Sequence, residues 1–537
     1  MAISSRHIIR AALISSPLLF FLVFFLVKPS TPSISEFPHN PGEPRTSDFE
    51  FAEAKGWREG LRGGVSDWRD KWPSLGWGSA RETVEQMEVE QVEEDGWVDF
   101  DEGLHWTKYE GGVPGYQVFT NLYLSGASLT AITPSQAPSP LASDDAEETD
   151  RVQESPFPET KFIISSSKRG VTAGHDRWRI EGPEVGRMEF GKTGYRLGGL
   201  TFIFNDGPGP GIMCFHGHLY TSNSRFRHFV AEAFLGAVRS LASTLPASVS
   251  IPVPKRIWFP RCGATPSWRD DRGENVWFLS HAVPSASIED STGFADRNFA
   301  GVTIQLEKVV IIDRWAAHSI TGDIAKWGKM NVLIPTVSAP GDIFQQYRDN
   351  AIQSFGVSKS TIGSRGLPVV VYLSRQKEPP RLRPEDHAGM ITALKSLTSI
   401  AEVHIVKVGG MPKIRQVELF SRALVVIGSH SDDLVHAIWM PPTKGSTIIE
   451  LFETGGFQRD FELMASSLNH NYVAVAGDRV VPEEEWRIAG PSNGDRPNGE
   501  ITINPEVVVR IVEDIVAASD ETYSSDEAEE AEIEEDI

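Results

Sequence analysis

Two groups of residues have types and spacings that suit chemistry. In the run Ser224 to Leu245, Phe226, Phe229, Val230, Ala233, Phe234, Ala237, Val238 and Leu241 recur at helical spacing and predict an amphipathic helix. His228 and Glu232 stand four residues apart and share a different face of it. An imidazole beside a carboxylate can act as a general base whose ring the carboxylate orients. The plainer alternative is a solvated i, i+4 pair. His216 and His218, in the string CFHGHLY just before this run, are the other candidates for a base.

The second group falls at the ends of short apolar runs. Val369 to Leu373 is followed by Ser374, Arg375 and Gln376, Ala423 to Ile427 is followed by Gly428, Ser429, His430 and Ser431, and Glu450 lies in the run Thr447 to Leu451. A guanidinium matches a diphosphate through its planar fork, a turn that opens a helix offers backbone N–H groups to phosphate, and a Glu accepts hydrogen bonds from a ribose diol. Taken singly, each has an ordinary reading: a surface charge for Arg375, a turn residue for His430, a carboxylate paired to a lysine for Glu450. Their convergence favours a site, because ligands of open α/β sheets bind beyond the carboxyl ends of the strands.

The elements that must position these residues alternate. Strands Val369 to Leu373, Glu402 to Val408, Ala423 to Ile427, Thr447 to Leu451 and Tyr472 to Val475 are separated by helices Pro384 to Leu397, Lys413 to Arg422, Asp433 to Trp439 and Phe457 to Leu468. This alternation predicts βαβ units and a parallel, doubly wound sheet. Upstream, the strand candidates are Lys161 to Ser165, Leu200 to Phe204, Ile257 to Phe259, Val276 to Leu279 and Lys308 to Ile312, and Arg348 to Gly363 reads as a helix and linker between two domains.

Composition bounds the rest. Of the formal net charge of -22, twenty units come from two stretches, Glu82 to Glu102 and Asp520 to Asp536, each with ten acids and no Lys or Arg. The remainder is near neutral and carries no clustered basic face, so nucleic acid is not an expected partner. Met1 to Arg10 is basic, and Ala11 to Val27 is a mostly apolar run, short for a span but long for a signal peptide. It reads as an uncleaved anchor, and the arginines before it predict a cytosolic N-terminus and a lumenal remainder. Lys28 to about Glu159 is rich in Pro, Ser, Gly and acids and reads as a stem, with Gln117 to Tyr123 as one possible early strand. No N-x-S/T sequon occurs, and the only cysteines, Cys214 and Cys262, are open to one bridge or none.

The string LPVVVYLSRQKEPPRLRPEDH from Leu367, with VIGSHSDDLVHAIWMPP and IIELFETGGFQRDFE, resembles the C-terminal part of glycosyltransferase family 61, especially its fungal branch. That family also includes the EGF-domain-specific O-GlcNAc transferase and plant xylan arabinosyl- and xylosyltransferases. RHFVAEAFLGAVRS and VVIIDRWAAHS are similar to family strings as well, so the resemblance covers roughly Gly198 to Val475. It implies an α/β, GT-B-like fold of two facing Rossmann-like domains, an N-terminal transmembrane anchor, a UDP-sugar donor, a glycan or glycoprotein acceptor, and inversion. By the same resemblance Arg375 holds the diphosphate, His430 and its turn face the donor, Glu450 binds ribose, and His228 stands on the acceptor side. The implied organisation is a cytosolic tail (1–10), a signal anchor (11–27), a largely disordered stem (28–159), an N-terminal acceptor domain (160–345), a C-terminal nucleotide-sugar domain (346–518) and an acidic disordered tail (519–537). The expected location is the Golgi or endoplasmic reticulum membrane.

The chain departs from the family at one turn. The family's H-G-x-G-L is here His430, Ser431, Asp432, Asp433, Leu434. Carboxylates at a helix start suit the helix dipole but repel an anionic ligand that would use the same place. Two expectations follow: a weakened or lost donor site in a protein that binds a glycan or protein partner instead, or rescue by a divalent cation such as manganese on Asp432 and Asp433. The family pattern itself requires no cofactor.

Overall fold

The computed structural model describes residues 94–134, 156–166, 172–205, 224–262, 268–270, 273–320, 331–356, 366–486 and 500–519. The expected cytosolic tail, anchor, stem as far as residue 93 and acidic tail from residue 520 lie outside the described residues, as do Cys214, His216 and His218. Among the described residues no helix is long and apolar enough to cross a membrane.

The first sheet holds β1 (Gly96–Asp99), β2 (Lys108–Val113), β3 (Tyr116–Ser125), β4 (Ser128–Ile132), β5 (Trp178–Glu181), β6 (Thr193–Phe204), β7 (Arg256–Trp258), β8 (Ser287–Glu289) and β9 (Thr303–Ile312). Its spatial order is β5-β4-β3-β9-β6-β7-β8, with β1 on β6 and β2 on β3. Strands β9, β6, β7 and β8 run parallel, whereas β3 lies antiparallel to β9. The sheet is therefore mixed.

Four of these strands correct the expectation of a stem reaching residue 159. One of them, β3, covers the early strand expected over Gln117 to Tyr123 and carries Gln117, Thr120 and Asn121 as polar interruptions. In the fold those polar groups are satisfied. Gln117 donates from Nε2 to Phe162 O (3.2 Å) and accepts at Oε1 from Tyr109 Oη (2.8 Å), while Thr120 Oγ1 donates to Glu110 Oε1 (3.0 Å).

The second sheet comprises β10 (Val369–Leu373), β12 (Glu402–Val406), β13 (Ala423–Ser429), β14 (Thr447–Phe452), β15 (Asn471–Ala476) and β16 (Arg479–Val480); β11 (Arg381–Leu382) pairs apart with β17 (Glu500–Ile501). The order is β12-β10-β13-β14-β15-β16, parallel throughout except for the terminal β15–β16 hairpin. Counted from β10, the parallel strands stand 2-1-3-4-5. The winding reverses between β10 and β13, which is where a doubly wound sheet opens a crevice at its carboxyl edge.

Other expectations need local correction. Val276 to Leu279 belongs to a helix, Glu274–Ala282, because a short apolar run fits strand or buried helix equally and the start signal decides. That signal is Asp270, whose carboxylate accepts from Glu274 N (2.6 Å) and Asn275 N (3.2 Å). Lys161 to Ser165 is a helical turn, Thr160–Ile163, followed by an isolated bridge from Ser165 to Thr172. The expected helix Asp433 to Trp439 is a 3-10 helix, Asp432–Trp439. A helix over residues 505–519, with no counterpart among the sequence expectations, buries Val508, Val512 and Val516 at i, i+4 spacing against β13 and β14.

The two sheets share apolar core. One cluster runs from Phe202 and Val310 through Phe229, Phe234 and Phe278 to Leu434, Trp439 and Val426. Each such side chain contributes roughly 1.5–3 kcal/mol when fully buried. The central element is the helix Ser224–Ala242, whose predicted apolar stripe is buried throughout and whose middle, His228–Phe234, is π-helical. Arg239 ties its far end to the second sheet's side, donating from Nη1 to Ser467 O (2.8 Å) and Asn469 Oδ1 (3.1 Å).

Candidate functional site

The π-helical segment positions the first candidate group. His228 Nδ1 lies 2.5 Å from Glu232 Oε1, so the pair forms as spaced, but it is not solvated, since Glu232 is only 7 % exposed. Arg314, at the start of the turn after β9, donates from Nη1 to Glu232 Oε2 (2.8 Å) and to His228 O (2.9 Å). Burial works against the Glu232 charge, yet His228, Arg314 and Arg227 together hold its pKa down to about 2. A permanently ionised carboxylate thus fixes one edge of the imidazole.

Arg227 occupies the other edge. Its Nη2 is 3.4 Å from His228 Nε2, its Nε 3.3 Å from Asp432 Oδ1, its Nη1 3.4 Å from Asp460 Oδ1, and its guanidinium sits 5.8 Å over the Phe461 ring. Asp432 and Asp460 open helices of the second sheet's side, so Arg227 joins the two candidate groups. Burial disfavours its charge, but Asp460, Asp432, Glu232 and Glu450 outweigh that and raise its pKa.

The second candidate group assembles as expected from its strand ends, with its polar atoms largely engaged. His430 Nδ1 is hydrogen-bonded to Glu450 Oε1, and Tyr472 Oη donates to Glu450 Oε2 (2.5 Å). The His430 ring stacks on Phe452 (centroids 5.6 Å) and meets Phe461 edge-on (5.7 Å). Gly428 stays small because a Cβ there would lie 3.1 Å from both Leu373 Cδ1 and Leu434 Cδ2. Ser431 precedes the 3-10 helix as its N-cap residue, without a side-chain cap bond. Ser374 Oγ faces His387 Nε2 (3.4 Å).

Arg375 pairs with Asp433 (Nη1 to Oδ2, 3.4 Å) and Glu378 (Nη2 to Oε2, 2.9 Å). Burial raises the Asp433 pKa despite Arg375 beside it. Both acids of the departing turn therefore already have arginine partners. Arg375 Nε and Gln376 Nε2 remain buried donors with no hydrogen-bond partner among the described residues. Among those residues no group of three His, Cys, Asp or Glu side chains is placed to hold a metal ion. Cys262 is buried and disulfide-bonded.

Sequence reasoning missed Arg227, Arg314, Asp460 and Tyr472. Arg227 adjoins His228, which was a usable signal; the others meet the site only through the fold. A separate cavity of about 650 Å³, lined by Trp106, Lys108, Tyr109, Asn121 and Phe157 among others, shares no residue with this crevice, so the chemistry and not the size of the opening locates the site.

A buried carboxylate–imidazole pair facing the carboxyl edge of a doubly wound sheet defines a candidate group-transfer centre. Residues 210–449 match the family model of glycosyltransferase 61, so that stretch of the chain is similar to this family. The matched stretch contains His228, Glu232, Arg314, Arg375 and His430, and the match supports a glycosyltransferase. No curated protein matches the chain significantly.

Proposed function

We propose that the chain is a type II membrane glycosyltransferase that moves a sugar from a UDP-sugar to a hydroxyl of a glycan or glycoprotein, with inversion, in the Golgi or endoplasmic reticulum. The observation that carries this reading is the hydrogen-bond relay on His228. A guanidinium can only donate, so Arg227 at Nε2 requires a lone pair there, and Nδ1–H then donates to Glu232. Nε2 is therefore the basic nitrogen.

In the proposed step the acceptor hydroxyl gives its proton to His228 Nε2, and its oxygen bonds to the anomeric carbon on the face opposite the diphosphate. The bond from that carbon to the diphosphate oxygen breaks, and its electron pair leaves with UDP. Glu232, ionised throughout, stabilises the imidazolium. The donor lies at the β10/β13 crevice, in a GT-B-like pairing of two Rossmann-like domains. Arg375 Nε and Gln376 Nε2, buried and unpartnered among the described residues, support an acceptor-rich ligand such as a diphosphate there.

The test is turnover of His228→Ala in the full chain, assayed with a panel of UDP-sugars. Turnover should fall roughly 10²–10⁴-fold while UDP affinity holds; unchanged turnover rejects His228 as the base.

A second reading, a glycosyltransferase-like protein that binds a glycan or protein partner without catalysis, is favoured by one observation. Asp432 and Asp433 hold Arg227 and Arg375, the cations a diphosphate would use. In that case UDP produces no rise in melting temperature, whereas a working site at about 100 times Kd gains about 2.7 kcal/mol.

A further inference from the structure

Arg227 and Arg314 flank the same His–Glu pair, but their contacts differ in kind. Arg314 is locked, with two hydrogen bonds of 2.8 and 2.9 Å and a side chain that is 1 % exposed. Arg227 is shared among three partners, His228, Asp432 and Asp460, at 3.3–3.4 Å. None of these reaches the roughly 2.7–2.9 Å of a well-formed charge-assisted bond. A guanidinium so divided is open to capture by an anion that offers two oxygens in its plane. Its position also covers Nε2, the nitrogen that must be bare to receive a hydroxyl proton.

We propose that Arg227 is a positioning residue that covers His228 until the donor diphosphate draws its guanidinium away, so that donor binding precedes acceptor binding. The inference rests on the UDP-sugar reading above. Asp432 and Asp460 hold the cover in place in the empty site, which gives the acidic turn a function: it keeps the base out of reach of stray hydroxyls and water until a diphosphate competes for Arg227.

Carbethoxylation of His228 by diethyl pyrocarbonate, mapped by peptide mass spectrometry on the full chain with and without UDP, tests this directly. The reagent attacks a free imidazole nitrogen, so the expected result is an increase of about tenfold in the labelling rate at His228 on UDP saturation, corresponding to about 1.4 kcal/mol. R227M should label at the fast rate without UDP and gain nothing further from UDP. UDP that binds yet leaves His228 labelling unchanged, or slows it, overturns the cover while leaving the donor reading intact. UDP that fails to bind the folded chain overturns both. The wild-type comparison needs no variant, so misfolding of R227M does not remove the test.

Discussion

Arg314 Nη1 donates to Glu232 Oε2 at 2.8 Å, joining the helical turn after β9 to the helix that carries His228, with both side chains buried. Removing the arginine alone strands a buried carboxylate. Arg314→Met is expected to destabilise the chain by about 3–5 kcal/mol, read as a lowered urea midpoint. The double variant R314M/E232Q should recover part of that loss, because a neutral amide is cheaper to bury than an unpaired charge. Equal losses in the single and double variants would show that packing, not charge pairing, sets the effect.

Two histidines should make the fold sensitive to mild acid. Burial, reinforced by Lys413 for His436 and by Arg348 for His470, lowers each pKa from 6.5 to about 3. The folded state thus binds fewer protons than the unfolded chain between these values, so stability is full above about pH 6.5 and falls as pH drops toward 3. His436 packs near Phe226 and Phe420, and its Nδ1 has no hydrogen-bond partner among the described residues. His436→Met should flatten the slope of stability between pH 6.5 and 3 in urea titrations; an unchanged slope would assign the loss elsewhere.

Glu232 acts in a lower window. With its pKa held down from 4.5 to about 2, its contribution is complete above pH 4.5 and disappears as pH falls through 2. Glu232→Gln should remove that part of the acid transition. The same variant should lower turnover more than UDP affinity, since the carboxylate works through His228.

Gly236 tests the packing of the central helix. Gly→Ala inside a helix ordinarily gains about 1 kcal/mol, but here a Cβ would collide with the Tyr116 ring and Ile334. Tyr116 is fully buried and cannot swing aside. Gly236→Ala is therefore expected to cost about 1–3 kcal/mol, and a raised melting temperature would show that the contact yields.

Arg375 tests the donor side. Replacing its fork with the point charge of Lys should weaken UDP binding about tenfold, measured by calorimetric titration. Unaltered affinity would move the diphosphate away from β10.

The second sheet was legible because its central strands are buried on both faces. Val369–Leu373 reads as an unbroken apolar run and Thr447–Phe452 as one interrupted at Glu450, and alternation with helices predicted parallel pairing. Where pairing partners lie far along the chain, that legibility ended. Gln117 to Tyr123 was legible as a strand, β3, but its neighbours along the chain, β1, β2 and β4, were not, because their partners in the sheet lie on other segments, β1 on β6 and β4 on β5.

The site divides in the same way. Sequence by itself determined that His228 and Glu232 would share a helix face and that Arg375, His430 and Glu450 would gather at one sheet edge, since both facts follow from the periods of helix and strand. Tertiary structure alone decided the charges. Arg314 came from 82 residues away to join His228 in holding Glu232 ionised despite its burial, and Arg227 was set between His228 and the acids of the second sheet's side. Spacing along a chain specifies which residues share a face, but a pKa depends on burial and on charges a few ångströms off, which only the packing of distant segments supplies.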